Sequence, residues 1–95
     1  MNYTFEQLQK VEEYAALFLS PREISCLLSF DHESISDEFH DPRSPLYHAY
    51  FRGKTNSKLE LRQKIVPLAK LGSPQAQSLT EQYIREQEQE ELFDE

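Results

Sequence analysis

The amino-acid sequence predicts an all-α fold of four to five helices, with an N-terminal helix-turn-helix and a long middle helix that a proline can kink. Three observations predict it. The chain contains only two glycines and few β-branched residues, whereas Glu, Gln, Leu and Ala are abundant. Apolar residues recur at helical spacing. No stretch alternates apolar and polar residues for long enough to predict a strand. The length of 95 residues suits one small domain.

The first predicted helix begins at a capping box. Thr4 stands at the N-cap and Gln7 follows three residues later, so that each side chain can bond the other residue's backbone N–H. Apolar residues then repeat every three or four positions on one face of this helix. The residues of this face are Phe5, Leu8, Val11, Ala15 and Phe18.

Serine-proline pairs stand at 20–21, 44–45 and 73–74, and each predicts the start of a helix. Serine is a good N-cap, and proline is tolerated at the first helical position because its missing N–H would be unpaired there anyway. At the first pair, Glu23 completes a second capping box.

Residues 44–72 allow two interpretations. Apolar spacing fits one long helix, although Gly53 weakens it by about 1 kcal/mol relative to alanine. A break at Gly53 with a new capping box at Ser57 is the alternative. We favour the single helix, kinked at Pro67 and ended by Gly72.

The last helix is predicted to begin at Pro74. Its apolar face ends at Ile84, and residues 86–95 are almost entirely acidic residues and glutamine. We therefore predict one helical domain over 1–85, with the basic and assembly helices at about 44–85, and a disordered acidic tail over 86–95.

Residues 20–39 follow the order of a helix-turn-helix motif, which needs a small residue where two helices cross, a tight turn and a second helix. Ser25 is the small residue, Ser29 stands at the turn, and Asp31 is placed to cap the second helix. Six apolar residues are expected to face inward. They are Ile24, Leu27, Leu28, Phe30, Ile35 and Phe39.

This order is similar to the helix-turn-helix of bacterial and phage DNA-binding proteins, with Ser29 where such motifs usually carry glycine. The segments AYFRG at 49–53 and LAKLGSPQAQSL at 68–79, together with Arg62, resemble the phage small terminase subunit family. The resemblance covers residues 5–85. It implies binding of double-stranded viral DNA, self-association into rings, and recruitment of the large ATP-hydrolysing terminase subunit through the C-terminal segment.

The formal net charge of −7 is unevenly distributed. Residues 1–41 carry −7, residues 42–80 carry +6 and residues 81–95 carry −6. The central basic segment predicts contact with phosphates, and a solvated helix face or pairing with the acidic ends is the alternative. The candidate phosphate-binding residues are Arg43, Arg52, Lys54, Lys58 and Arg62.

The second helix of the motif offers His32, Glu33 and Ser36 as candidate base contacts. Asp37 and Glu38 lie beside them, so this helix is acidic and is expected to be repelled by phosphates. In the acidic tail, Leu92 and Phe93 are the candidate contacts with a protein partner. The aromatic residues Tyr47, Tyr50 and Phe51 cluster on the middle helix. Core packing is the first interpretation of this cluster, and self-association through the helix is the alternative.

Little in the sequence predicts catalysis. The single cysteine, Cys26, is expected to be a buried structural thiol, and the three histidines lack metal-site spacing. No glycine-rich phosphate loop is present. We predict a non-enzyme with no cofactor, metal or membrane span, acting in the cytoplasm. A helix-turn-helix transcriptional regulator and a protein-interaction module without DNA binding are the alternative functions.

Overall fold

The computed structural model describes residues 2–93 and contains five α-helices and no strand in that range. The all-α prediction is therefore confirmed. The helices are α1 (Phe5–Ala16), α2 (Pro21–Leu27), α3 (His32–Ile35), α4 (Pro45–Lys70) and α5 (Pro74–Phe93). A 3-10 turn, Ser36–Phe39, follows α3 directly.

The predicted helix starts are confirmed. The hydroxyl of Thr4 accepts a hydrogen bond from the Gln7 backbone N–H (3.1 Å), and the Gln7 side chain accepts one from the Thr4 N–H (2.9 Å). Ser20 and Glu23 make the same reciprocal pair at the start of α2. The helices α4 and α5 begin at prolines that each follow a serine, as the serine-proline pairs predict.

Three helices end in the same hydrogen-bonded motif, although only one of them uses glycine. After α4, Gly72 has a φ of 103° and donates to the carbonyl of Ala69, and Ser73 donates to that of Leu68. This is a Schellman motif. The equivalent residues after α1 and α2 are Phe18 (φ 64°) and Ser29 (φ 59°). Phe18 therefore lies beyond the end of α1 and is exposed, where the sequence predicted it on the apolar face.

The chain divides into two compact units between Lys58 and Leu59, where the sequence predicted a single domain. In the first unit, α1, α2, α3, the 3-10 turn and the first half of α4 enclose a small core. Seven buried apolar side chains form this core, and Tyr3, Leu8 and Phe30 are among the partly buried residues around it. The core residues are Val11, Ala15, Ile24, Ile35, Phe39, Leu46 and Ala49.

Three residues expected inside the first unit lie at its surface. Phe5 is 80% exposed, because it lies on the outer side of the first turn of α1, while Leu8 of the same turn packs against the core. Leu27 and Cys26 are exposed because the seven-residue helix α2 buries only one face, with Ile24 at its centre. The prediction that Cys26 is buried is therefore wrong.

The helix α4 continues through both Gly53 and Pro67, so the single middle helix is confirmed and the break at Gly53 is wrong. Gly53 is buried against α1. A Cβ at this position would overlap the carbonyl oxygen of Glu12 and lie 3.0 Å from the Cβ of Ala15. Glycine therefore permits a close approach between α1 and α4 that no side chain would allow.

The second unit is an antiparallel pair formed by the end of α4 and by α5. Near the turn, Ala69 and Ala76 are buried, and the Gln77 side chain donates to the carbonyl of Ala69 (3.1 Å). Farther away, Arg62 pairs with Glu86 (2.9 Å).

Because α5 extends to Phe93, the predicted disorder of the acidic tail is wrong for residues 86–93. Residues 94–95 lie outside the described residues. Glutamate and glutamine are good helix formers, and no glycine or proline follows Pro74. The helix therefore continues beyond the last residue of its apolar face.

Candidate nucleic-acid and assembly surfaces

The first half of the helix-turn-helix has the geometry that the sequence predicts. Ser25 is fully buried, and its hydroxyl donates to the carbonyl of Pro21 (2.8 Å) and lies 3.2 Å from Nδ1 of His32. Ser29 provides the turn with a positive φ. From the second half, Ile35 and Phe39 point into the core. The small residue at the helix crossing, the turn and the inward-facing Ile24, Ile35 and Phe39 are thus in place, whereas Leu27 is exposed.

The second half differs from a DNA-reading helix. Only the four residues of α3 are α-helical before the 3-10 turn begins. Asp31 occupies the N-cap position, but its carboxylate accepts from the Ser34 hydroxyl (2.7 Å) and caps no backbone N–H. A recognition helix lies along the major groove and presents its exposed residues to the bases. One α-helical turn presents few such positions.

The three candidate base contacts are unequally placed. His32 is half-buried beside Ser25, Ser36 is half-buried, and only Glu33 is exposed. Farther along, the carboxylate of Glu38 accepts a hydrogen bond from the Tyr3 hydroxyl (2.9 Å). Burial and this carboxylate together raise the pKa of Tyr3 to about 12. The exposed surface of α3 and the 3-10 turn is therefore acidic and lacks a cation.

Two candidate phosphate-binding residues of the first unit are paired with acids but remain accessible. Arg43 lies 3.3 Å from Asp41 while its side chain is 91% exposed, and Arg52 lies 3.8 Å from Glu12. The pKa of Asp41 is lowered, first by the backbone N–H of Arg43 and then by its side chain. Exposed pairs of this kind are weak and can be exchanged for phosphate contacts.

The remaining three residues of the predicted basic stripe have different environments. The Lys54 Nζ lies 5.2 Å from the centre of the Tyr50 ring. Lys58 is exposed and makes no ion pair with any described residue. In the second unit, Arg62 is held by Glu86 and lies 4.3 Å from the centre of the Tyr83 ring. Arg62 therefore stabilises the helical pair, a role that the sequence did not indicate.

The aromatic cluster of α4 divides between core and surface. Tyr50 packs edge-on against Phe39 in the first unit, with ring centres 5.7 Å apart. Tyr47 and Phe51 stack with their centres 5.6 Å apart and their planes 7° apart. Phe51 remains 51% exposed. The Phe51 ring is thus available at the surface of the first unit, with Tyr47 stacked against one of its faces.

The second unit exposes many large apolar side chains. Its buried apolar side chains are two alanines, Ala69 and Ala76, so the seam between the helices is narrow. Leu61 and Leu68 are seven residues apart on α4 and share a helix face. Eight large apolar residues of this unit are exposed. They are Leu59, Leu61, Leu68, Leu71, Leu79, Ile84, Leu92 and Phe93. Leu59 lies about 200° around the helix from Leu61, so the eight residues are not one patch. Leu61 and Leu68, on one face, are the pair that can contribute to an interaction surface.

Within residues 2–93, no cluster of three or more His, Cys, Asp or Glu side chains could hold a metal ion. No helix of that range is long and apolar enough to cross a membrane. Comparison with known protein families, curated proteins and solved structures found no match.

Proposed function

We propose that the protein is a DNA-packaging adaptor of the small terminase type, which binds duplex DNA, self-associates and recruits an ATP-hydrolysing partner. The observation that carries the proposal is a helix-turn-helix core followed by a helical pair with a largely uncovered apolar surface. The proposed role is one of binding without catalysis, in the cytoplasm of a bacterial or phage-infected cell.

Duplex DNA is held through its phosphates. Four cations of the first unit are available for this contact, and α3 contributes no cation. They are Arg43, Arg52, Lys54 and Lys58. Four phosphate contacts give a salt slope of about −3.5 in log K against log salt concentration. A single copy therefore binds weakly at physiological salt, and several copies on one DNA molecule are needed.

Self-association uses the second unit. A stable interface buries about 1,200–2,000 Å² in total and is apolar at its centre. Leu61, Leu68 and Leu79 are each at least 40% exposed and provide such a centre when two copies meet. Leu92 and Phe93, 75% and 82% exposed at the end of α5, are left for the packaging partner.

The first test is the mass in solution, measured by light scattering and native mass spectrometry. We expect an oligomer of more than two copies, and Leu61→Gln combined with Leu68→Gln should dissociate it while circular dichroism stays helical. Leu27→Gln, at an exposed leucine of the first unit, is the control. A monomeric wild-type protein would contradict the assembly step, and a dimer would favour a transcriptional regulator.

The second test is binding to a labelled duplex at about 50 mM and 200 mM salt, followed by fluorescence anisotropy. Replacing Arg43 and Lys58 by glutamine should weaken binding and reduce the salt slope by about 2. Replacing Lys10 and Arg22, which lie in the acidic N-terminal segment, removes the same charge and should have little effect. Equal losses in both double variants would refute a specific phosphate surface.

The acidic surface around Glu33 favours a second candidate, a protein-interaction module that does not bind DNA. The same binding experiment separates the two functions. An oligomer that fails to bind the duplex even at about 50 mM salt would support the interaction module.

A further inference from the structure

We propose that one face of α4, from Tyr47 to Lys58, binds single-stranded DNA by stacking an unpaired base on Phe51 and holding phosphates with Lys54 and Lys58. The inference does not depend on the proposed duplex binding, because it uses a different contact, an aromatic ring face. It concerns the first unit alone.

Spacings of three and four residues create this face. Tyr47, Phe51, Lys54 and Lys58 follow at intervals of four, three and four residues within one continuous helix. At about 100° per residue these side chains fall within about 60° of one another. From Tyr47 to Lys58 the face is about 16 Å long. It is defined here as the aromatic–lysine face.

The two rings form a platform. Tyr47 and Phe51 are parallel to within 7°, and His48 and Tyr47 form a T-shaped pair with ring centres 5.5 Å apart. Because one face of the Phe51 ring stacks on Tyr47 and Phe51 is half exposed, its other face is the accessible one. Nucleobases stack on aromatic side chains of this kind with little sequence preference.

The charge around the platform suits a phosphate backbone. No aspartate or glutamate occurs between Asp41 and Glu60, although the rest of the chain is acidic. The carboxylates of Glu12 and Asp41 are each paired with an arginine of the first unit, and no ion pair involves Lys54 or Lys58 among the described residues. Lys54 and Lys58 are therefore left to attract an anion.

The arrangement fits an unpaired strand better than a duplex or a protein. In a duplex the base faces are stacked on one another, so Phe51 would gain nothing from it. Lysine is depleted in protein–protein interfaces, whereas two lysines flank this platform. Aromatic stacking beside lysines is the combination that single-stranded nucleic acids require.

The experiment uses the full-length protein and a labelled oligothymidylate of about 20 nucleotides, with a duplex of equal length measured in parallel. Phe51→Leu keeps an apolar side chain but removes the ring, and we expect it to weaken single-strand binding by about 5- to 150-fold. Duplex binding should not change. Phe5→Leu, at an exposed phenylalanine elsewhere in the first unit, is the matched control and should have no effect.

Lys58→Gln should weaken the binding of both oligothymidylate and the duplex, since both ligands offer phosphates. The chain contains five tyrosines and no tryptophan, so quenching of tyrosine fluorescence by oligothymidylate gives a readout that needs no variant. Quenching together with a loss of single-strand binding in Phe51→Leu, and none in Phe5→Leu, supports the inference.

Equal affinities for oligothymidylate in Phe51→Leu, Phe5→Leu and the wild type would overturn the inference. So would tenfold tighter binding of oligouridylate, which would assign the face to RNA. A protein that binds oligothymidylate through Phe51 but ignores the duplex would refute the proposed packaging function and leave this inference standing.

Discussion

Replacing Gly53 by alanine tests the close contact between α1 and α4. If helix propensity alone decided the outcome, alanine would stabilise the protein by about 1 kcal/mol. The structure predicts the opposite sign. The added Cβ would overlap the carbonyl oxygen of Glu12, which is backbone and cannot rotate away, and would lie 3.0 Å from the Cβ of Ala15.

The magnitude follows from the displacement that restores normal contacts. The two helices must separate by about 1 Å, and a gap of this size forfeits up to half of the dispersion energy of each contact across it. Overpacking of a core costs about 1–3 kcal/mol, and a backbone obstacle places Gly53→Ala near the upper end. After subtraction of the propensity gain, we expect the free energy of unfolding to fall by about 2 kcal/mol.

The assay is urea unfolding followed by circular dichroism, with the slope against urea fitted for each variant. The melting temperature should fall by about 10 °C. Thr55→Ala, at an exposed position two residues along the same helix, is the control and should stabilise by about 0.5 kcal/mol. A urea midpoint for Gly53→Ala at or above that of the wild type would refute the reasoning.

The other predictions concern caps and one titration. Ser29→Gly should stabilise the protein by about 0.5–1 kcal/mol in urea unfolding, because the native φ of 59° disfavours a side chain, and a loss of stability would contradict this. Gly72→Ala should destabilise by about 1 kcal/mol for the same reason, although no atom obstructs its Cβ. Ser20→Ala should cost about 1 kcal/mol by removing a cap, and an unchanged urea midpoint would contradict that role. In a spectrophotometric titration, one tyrosine should ionise near pH 12, and Glu38→Gln should lower that pKa.

The raised pKa of Tyr3 also predicts how stability changes in alkaline solution. The ordinary pKa of 10.0 applies to the unfolded chain, and the folded value is about 12. The stabilisation is therefore complete below pH 10 and is lost as the pH rises through 12. Tyr3→Phe should reduce this dependence, and burial of Tyr50, which also raises the pKa of that tyrosine, leaves a residual one. A variant profile that falls as steeply as that of the wild type between these two pH values would assign the dependence to another group.

For the candidate site, the charges of the residues were predictable from the sequence, whereas the residues that they contact were not. The basic central segment and the acidic second helix of the motif are properties of the sequence, and both persist in the structure. The partners of the basic residues were not predictable. Arg62 binds Glu86, which is 24 residues away, and Arg52 lies beside Glu12, 40 residues away. Such pairs depend on which helix faces meet, and periodicity does not specify that.

The sequence by itself determined where the helices begin and where α2 and α4 end. Capping boxes, serine-proline pairs, Ser29 and Gly72 act over four to six residues, so their effect is local and can be read without the fold. Only the tertiary structure decided that α1 and α4 approach each other closely at Gly53 and that Phe5 and Cys26 are exposed. These depend on how closely and on which side two helices pack, which is set by contacts between residues far apart in the chain.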